Sequence, residues 1–148
     1  MSPFQGCFWR IFFAGSDPLH PAAAPEGRFH HSGQLALYGS LSAEGCGVAL
    51  KRYLGKNDPP RLIQSFDVTI DRLVNLRELD NPSEVSVVWQ DGPRPSPTWA
   101  FSDAAREQGA QGMLYPGRTR PELTHIVLFE WSDLTVTPTG PARKWHAN

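Results

Sequence analysis

The stretch Arg61-Leu62-Ile63-Gln64-Ser65-Phe66-Asp67-Val68-Thr69-Ile70 decides the fold. Phe66, Val68 and Ile70 alternate with Ser65, Asp67 and Thr69. That is the two-residue period of a strand with one face in a core and one in water, the habit of antiparallel sheets. Upstream, Cys7-Phe8-Trp9-Arg10-Ile11-Phe12-Phe13 is aromatic and reads as a buried strand that carries one charge, Arg10. Leu35 to Ser40 is a second strand. Between these two, Gly15, Asp17, Pro18, Pro21, Pro25 and Gly27 are loop residues. From Ser42 the period becomes helical, with Cys46, Ala49, Leu50, Tyr53 and Leu54 on one apolar face. Ser42 suits the N-cap and Gly55 the residue after the last turn.

Downstream, Leu73 to Leu76 starts a strand or a turn, and Val85 to Trp89 is a strand or a helix fragment. The prolines of Asp91–Pro97 force an irregular loop. Ser102 to Gly109 reads as a short helix capped by Ser102 and ended by Gly109. Gly112–Tyr115 and His125–Trp131 are two further strands. The tail from Thr135 is polar and is expected to fray, with Trp145 as its one docking residue. Strands outnumber helices and no repeat is present. The economical architecture is α+β: a mixed, mostly antiparallel sheet, curled or split, with short helices at its edges.

The 148 residues suffice for one domain, with a core over about 7–131 and a polar tail over 132–148. A net charge of −1 argues against a nucleic-acid binder, which carries a basic excess. Nothing resembles a signal peptide or a membrane span, so the cytoplasm is the expected compartment and no membrane partner is expected. Cys7 and Cys46 form no CxxC pair and are expected to be reduced thiols. His30-His31 point to opposite faces in extended chain and have no acidic or cysteine cluster beside them, so no metal is expected.

The chemistry concentrates in Pro25-Glu26-Gly27-Arg28-Phe29-His30-His31-Ser32-Gly33-Gln34-Leu35-Ala36-Leu37-Tyr38-Gly39-Ser40. It sets a permanent cation, a turn at Ser32-Gly33 and a phenol close together. A guanidinium grips a diphosphate with parallel hydrogen bonds. A tyrosine stacks on, or bonds to, a ring beside it. This segment resembles the Gly-Arg-Trp/Phe…Gly…Leu-Tyr signature of the RES family, small bacterial toxins that attack NAD and are named for an arginine, a glutamate and a serine. The resemblance covers about residues 7–131. It implies an ADP-ribosyltransferase-like sheet with a central NAD cleft. It also implies that Arg28 and Tyr38 are catalytic, and that Arg10, Arg28, Phe29, Tyr38 and Arg118 bind NAD as substrate.

Two of the three naming residues are missing from their places. The serine position of the family falls on Gly117, and the helix segment that carries the glutamate reads Val48-Ala49-Leu50. Glu44 is the nearest acid and stands as the catalytic candidate; Ser40, Ser102, Arg118 and Thr119 are other candidate replacements. The implied activity is cleavage of the nicotinamide–ribose bond and transfer of ADP-ribose to a protein, phosphate or water. The alternative is a weakened module of the same fold that binds NAD or a protein. The resemblance implies a helix-turn-helix antitoxin of the Xre type as partner; an ADP-ribose acceptor protein and a homodimer stay open. Trp99 is either an anchor for the proline loop or a wall of the nicotinamide pocket.

Overall fold

A computed structural model describes residues 1–92 and 94–147. Seven strands make one sheet: β1 (Ser2–Phe13), β2 (Leu37–Ser40), β3 (Arg61–Asn75), β4 (Gly112–Pro116), β5 (Thr124–Leu128), β6 (Val136–Pro138) and β7 (Arg143–Trp145). Two short helices flank them, α1 (Ala43–Leu50) and α2 (Trp99–Glu107). The order β1-β2-β5-β4-β3 closes on itself because β1 also pairs with β3 along most of its length. Only β3 with β4 is parallel; the other pairs are antiparallel. Closure is partial: β4 pairs with β3 only over Leu73–Asn75, so the first part of β3 keeps an edge for other strands.

All five ring strands send side chains to one buried cluster. Phe8, Leu37, Phe66, Val68, Ile70, Leu114, Ile126 and Leu128 belong to it. The alternation read at Phe66, Val68 and Ile70 is this inner face. The opposite faces of β4 and β5 present Met113, Tyr115 and Val127, which with Phe129 just after β5 pack against Phe29, Ala36, Leu76, Val85 and Ala105. The candidate residues Tyr38 and Tyr115 pack on this second face.

The structure corrects several sequence-based boundaries. β3 runs on to Asn75, so Leu73–Asn75 continues it alongside β4. Val85–Trp89 is neither strand nor helix fragment: a 3-10 turn over Pro82–Val85 buries Val85 and the chain then turns. α1 stops at Leu50, and a 3-10 turn over Lys51–Tyr53 completes the apolar run. Gly45 and Gly47 weaken so short a helix, and the tighter turn is a common way to end one. Ser42 does cap α1, accepting from Gly45 N at 3.0 Å. α2 starts at Trp99, and Ser102 donates back to Trp99 O from inside it. Gly109 ends α2 with φ +82°. The tail does not fray. β6 and β7 hydrogen-bond to the edge of β3 that β4 leaves uncovered, with Trp145 opposite Arg61. An unpaired sheet edge offers a row of donors and acceptors, and this tail takes them up.

Candidate functional site

The Gly27–Phe29 segment is held from α2 by its carbonyls. The Trp99 indole donates to Gly27 O at 2.8 Å, the Thr98 hydroxyl to Arg28 O, and Arg106 to Phe29 O at 2.9 Å and Leu35 O at 3.0 Å. Trp99 is therefore an anchor; it is buried, stacks on His31 with centroids 4.5 Å apart, and does not line the main hollow. Thr98 is spent on Arg28, which explains why α2 lacks a side-chain cap. A Cβ at Gly27 would run into the His30 ring and come within 3.1 Å of the Tyr38 hydroxyl, so this turn admits only glycine. Ser32 and Gly33 make the tight turn with φ +53° and +80°.

These contacts set one wall of a hollow of about 500 Å³. Tyr38, Tyr53, Trp89 and Tyr115 supply aromatic surface, Arg28 and Arg118 supply charge, and His30, Thr119 and His125 supply polar groups. The Trp89 indole donates to the Tyr53 hydroxyl at 3.2 Å, joining those two walls. A volume in the range of about 300–1,000 Å³ is that of sites for small molecules and cofactors.

Arg28 sits with its guanidinium carbon 5.3 Å from the Phe29 ring centre and 5.1 Å from that of Tyr115. One terminal nitrogen donates to Val85 O; Nε is buried and has no hydrogen-bond partner among the described residues. Burial first, and the like charge of Arg118 further on, push this guanidinium below its usual range. Neither Arg28 nor Arg118 makes an ion pair among the described residues. Glu26 at the rim is the one carboxylate in the lining, and it pairs with Arg94 at 3.4 Å. Two guanidiniums facing an aromatic hollow without a carboxylate partner suit an anionic ligand that carries a flat ring.

Tyr38 lines the hollow with its ring, while its hydroxyl is already engaged. It accepts from Phe29 N at 2.9 Å and lies 2.7 Å from His30 Nδ1, whose Nε2 reaches Ala24 O at 2.8 Å. His30 Nε2 must donate to that carbonyl, so Nδ1 accepts the Tyr38 proton. Burial raises the Tyr38 phenol well above its usual range, so it stays protonated. His30 and His31 are satisfied in different ways: His31 meets Asp103 on α2 at 2.9 Å.

The other sequence candidates spread out. Arg10 lies in a neighbouring hollow of about 160 Å³ that shares Tyr38, Ala49 and Tyr115 with the main one. Its Nε donates to Pro18 O at 2.7 Å and one terminal nitrogen to Tyr38 O, and burial lowers it to about 10. Arg10 thus grips the backbone that carries Tyr38. Phe29 is fully buried, edge-on to Tyr115 at 4.7 Å, and is absent from the lining; the turn between Gly27 and His30 sends it into the core. Glu44 is exposed on the first turn of α1, ion-paired with Arg120 at 3.0 Å, and lines a separate depression beside Trp145. Ser102 is buried in α2 away from the lining. Ser40 is fully buried and hydrogen-bonds His125 Nδ1. Val48 and Ala49 do face the hollow, and neither carries an acid. Sequence reasoning missed Tyr53, Trp89, Tyr115 and His125 as lining; the signal available for His125 was a titratable residue directly before the apolar run Ile126–Phe129.

A family model described as the RES domain matches residues 8–146. The chain belongs to the RES domain family. A comparison with curated proteins finds no match. Among solved structures, this RES chain is similar to a chain in the crystal structure of the M. tuberculosis MbcT–MbcA toxin–antitoxin complex. The TM-score is 0.72 at 19% identity, over 97% of this chain and 86% of that one. At that identity the likeness establishes a shared fold. The RES match also takes in β6 and β7, the segment expected to fray. Among the described residues no helix of the RES chain is long and apolar enough to cross a membrane.

Proposed function

We propose that this RES chain is the toxin of a toxin–antitoxin pair, and that its hollow binds NAD, cleaves the nicotinamide–ribose bond and passes ADP-ribose to an acceptor. The observation that carries the reading is the pair Arg28 and Arg118, free of carboxylate partners among the described residues and set against Tyr38, Tyr53, Trp89 and Tyr115. NAD has this pattern: a diphosphate dianion between two flat rings. Arg28 and Arg118 grip the diphosphate. As the carbon–nitrogen bond breaks, its electron pair leaves with nicotinamide, which becomes neutral, and positive charge passes to the ribose carbon. The electron-rich faces of Tyr38 and Tyr115 stabilise that charge. An acceptor oxygen then bonds to that carbon, and its proton passes to water. Arg10 acts as a positioning residue through the carbonyl of Tyr38. An ADP-ribosyltransferase-like cleft, action in the cytoplasm and an Xre-type helix-turn-helix antitoxin that covers the mouth complete the reading. The similar fold in a toxin–antitoxin complex supports the partner.

A second reading rests on a specific observation. Apolar Val48 and Ala49 stand in the wall where an acid is expected, and Glu44 pairs with Arg120 outside it. A hollow without a free carboxylate to steady the ribose cation fits a slow enzyme or a pure NAD-binding module. Purified protein incubated with NAD, with and without phosphate and with bacterial lysate, separates the two when nicotinamide and ADP-ribosyl products are followed by mass spectrometry. Nicotinamide release that Arg28→Ala abolishes, together with growth arrest on expression that Arg28→Ala relieves, supports the toxin. NAD that binds yet stays intact under every condition supports the module. NAD that never binds overturns both.

A further inference from the structure

His125 is a buried polar group of the hollow that the reading above leaves without a task. It is the second residue of β5 and lies between two partners, opposite Ser40 on β2 and opposite Tyr115 on β4. Only 4% of it is exposed. Its Nδ1 is taken by the Ser40 hydroxyl, while Nε2 has no hydrogen-bond partner among the described residues and the ring lines the hollow. Arg28 and His125 lie against the same Tyr115 ring, with centroid distances of 5.1 Å and 5.5 Å.

Gly117 explains why the imidazole can reach in. A Cβ there would stand 3.2 Å from His125 Nε2 and 2.5 Å from Arg120 O. A side chain at 117 is thus excluded by backbone, and the imidazole edge occupies the neighbouring space. The proton on the ring is placed by Ser40. Nδ1 is the strong acceptor beside this hydroxyl, whereas the Cys46 thiol, whose own proton goes to Trp9 O at 2.8 Å, is a weak one. Ser40 therefore donates to Nδ1, and the proton of the neutral ring sits on Nε2. Burial, and then the charge of Arg28, push His125 down to about 4, so the ring is neutral at physiological pH. The charged and titratable groups facing it are Arg28, Arg118 and Tyr115, together with Ser40 behind it.

We propose that His125, oriented by Ser40, donates its Nε2 proton to a phosphate oxygen of the bound dinucleotide, beside the Arg28 guanidinium. The proposal rests on the NAD reading of this hollow. His125 is then a binding residue and Ser40 a positioning residue. A neutral donor next to a guanidinium adds direction to the grip without adding repulsion.

ADP-ribose, which keeps the diphosphate and lacks nicotinamide, is the probe. Calorimetry on the full chain is expected to give measurable binding that His125→Ala weakens roughly ten- to hundredfold, the effect of one hydrogen bond to a charged group. His125→Gln, whose amide also presents an N–H, recovers most of it. Nitrogen-15 spectra of the imidazole, which do not depend on turnover, are expected to show the neutral Nε2–H form at pH 7 in the wild type and a mixture of forms in Ser40→Ala. Full-strength binding by a folded His125→Ala overturns the proposal, as does an Nδ1–H form in the wild type. Absence of wild-type binding to both ADP-ribose and NAD overturns the NAD reading, and the proposal falls with it.

Discussion

Acidification from pH 7 to pH 4 should destabilise this chain through His125. Its ring is buried beside Ser40 and Tyr115 and within reach of the Arg28 charge, which together hold it at about 4 in place of 6.5. Below 6.5 the unfolded chain takes up a proton that the folded chain refuses. The unfolded state then binds more protons, so stability falls as pH falls. The contribution is complete above 6.5 and gone near pH 4. Across that interval, at about 1.4 kcal/mol per pH unit for one proton, the loss comes to about 3 kcal/mol. Urea unfolding followed by tryptophan fluorescence at pH 7, 6, 5 and 4.5 measures it, with His125→Gln as the reference. Asp58, Asp103 and Glu122 are also held below their usual range, but they remain in both proteins and cancel in the difference. The wild-type curve should steepen against the variant between pH 6.5 and 4.5. Curves that stay parallel within about 0.5 kcal/mol would refute a neutral, desolvated His125.

Tyr38→Phe should cost about 1–3 kcal/mol in chemical denaturation, because Phe29 N and His30 Nδ1 lose their shared partner in a buried place. Gly117→Ser should destabilise the fold by about 1–3 kcal/mol, since its Cβ would press on Arg120 O. It should not raise NAD turnover, and an increase would show that the hollow accepts a serine there. Glu44→Gln should change stability by less than about 1 kcal/mol, as expected for an exposed pair, and leave NAD consumption as it was. Loss of NAD consumption in Glu44→Gln would return Glu44 to the site.

What the sequence made legible follows from range. The alternation at Phe66, Val68 and Ile70 reports a face that is buried through the middle of the strand, so β3 was readable. β6 and β7 are three residues each and exist because the edge of β3 is open to them; three residues hold no period. The start of α2 was missed because Thr98 and Trp99 are fixed by carbonyls of Gly27 and Arg28, partners far away in the chain. In the hollow, Arg28 and Tyr38 share one segment and were legible as a motif. Tyr115 and His125 reach it through the pairing of β2, β5 and β4, which no local pattern announces. Arg28 and Phe29 are the two residues of the turn between Gly27 and His30, and only Arg28 faces the hollow, a split that the motif alone does not announce.

The most direct test is a crystal structure of the chain with NAD or ADP-ribose bound. The account predicts a diphosphate between the guanidiniums of Arg28 and Arg118, with a ring against the tyrosine and tryptophan walls. A dinucleotide bound elsewhere on the surface, with this hollow empty and both arginines in water, would contradict it.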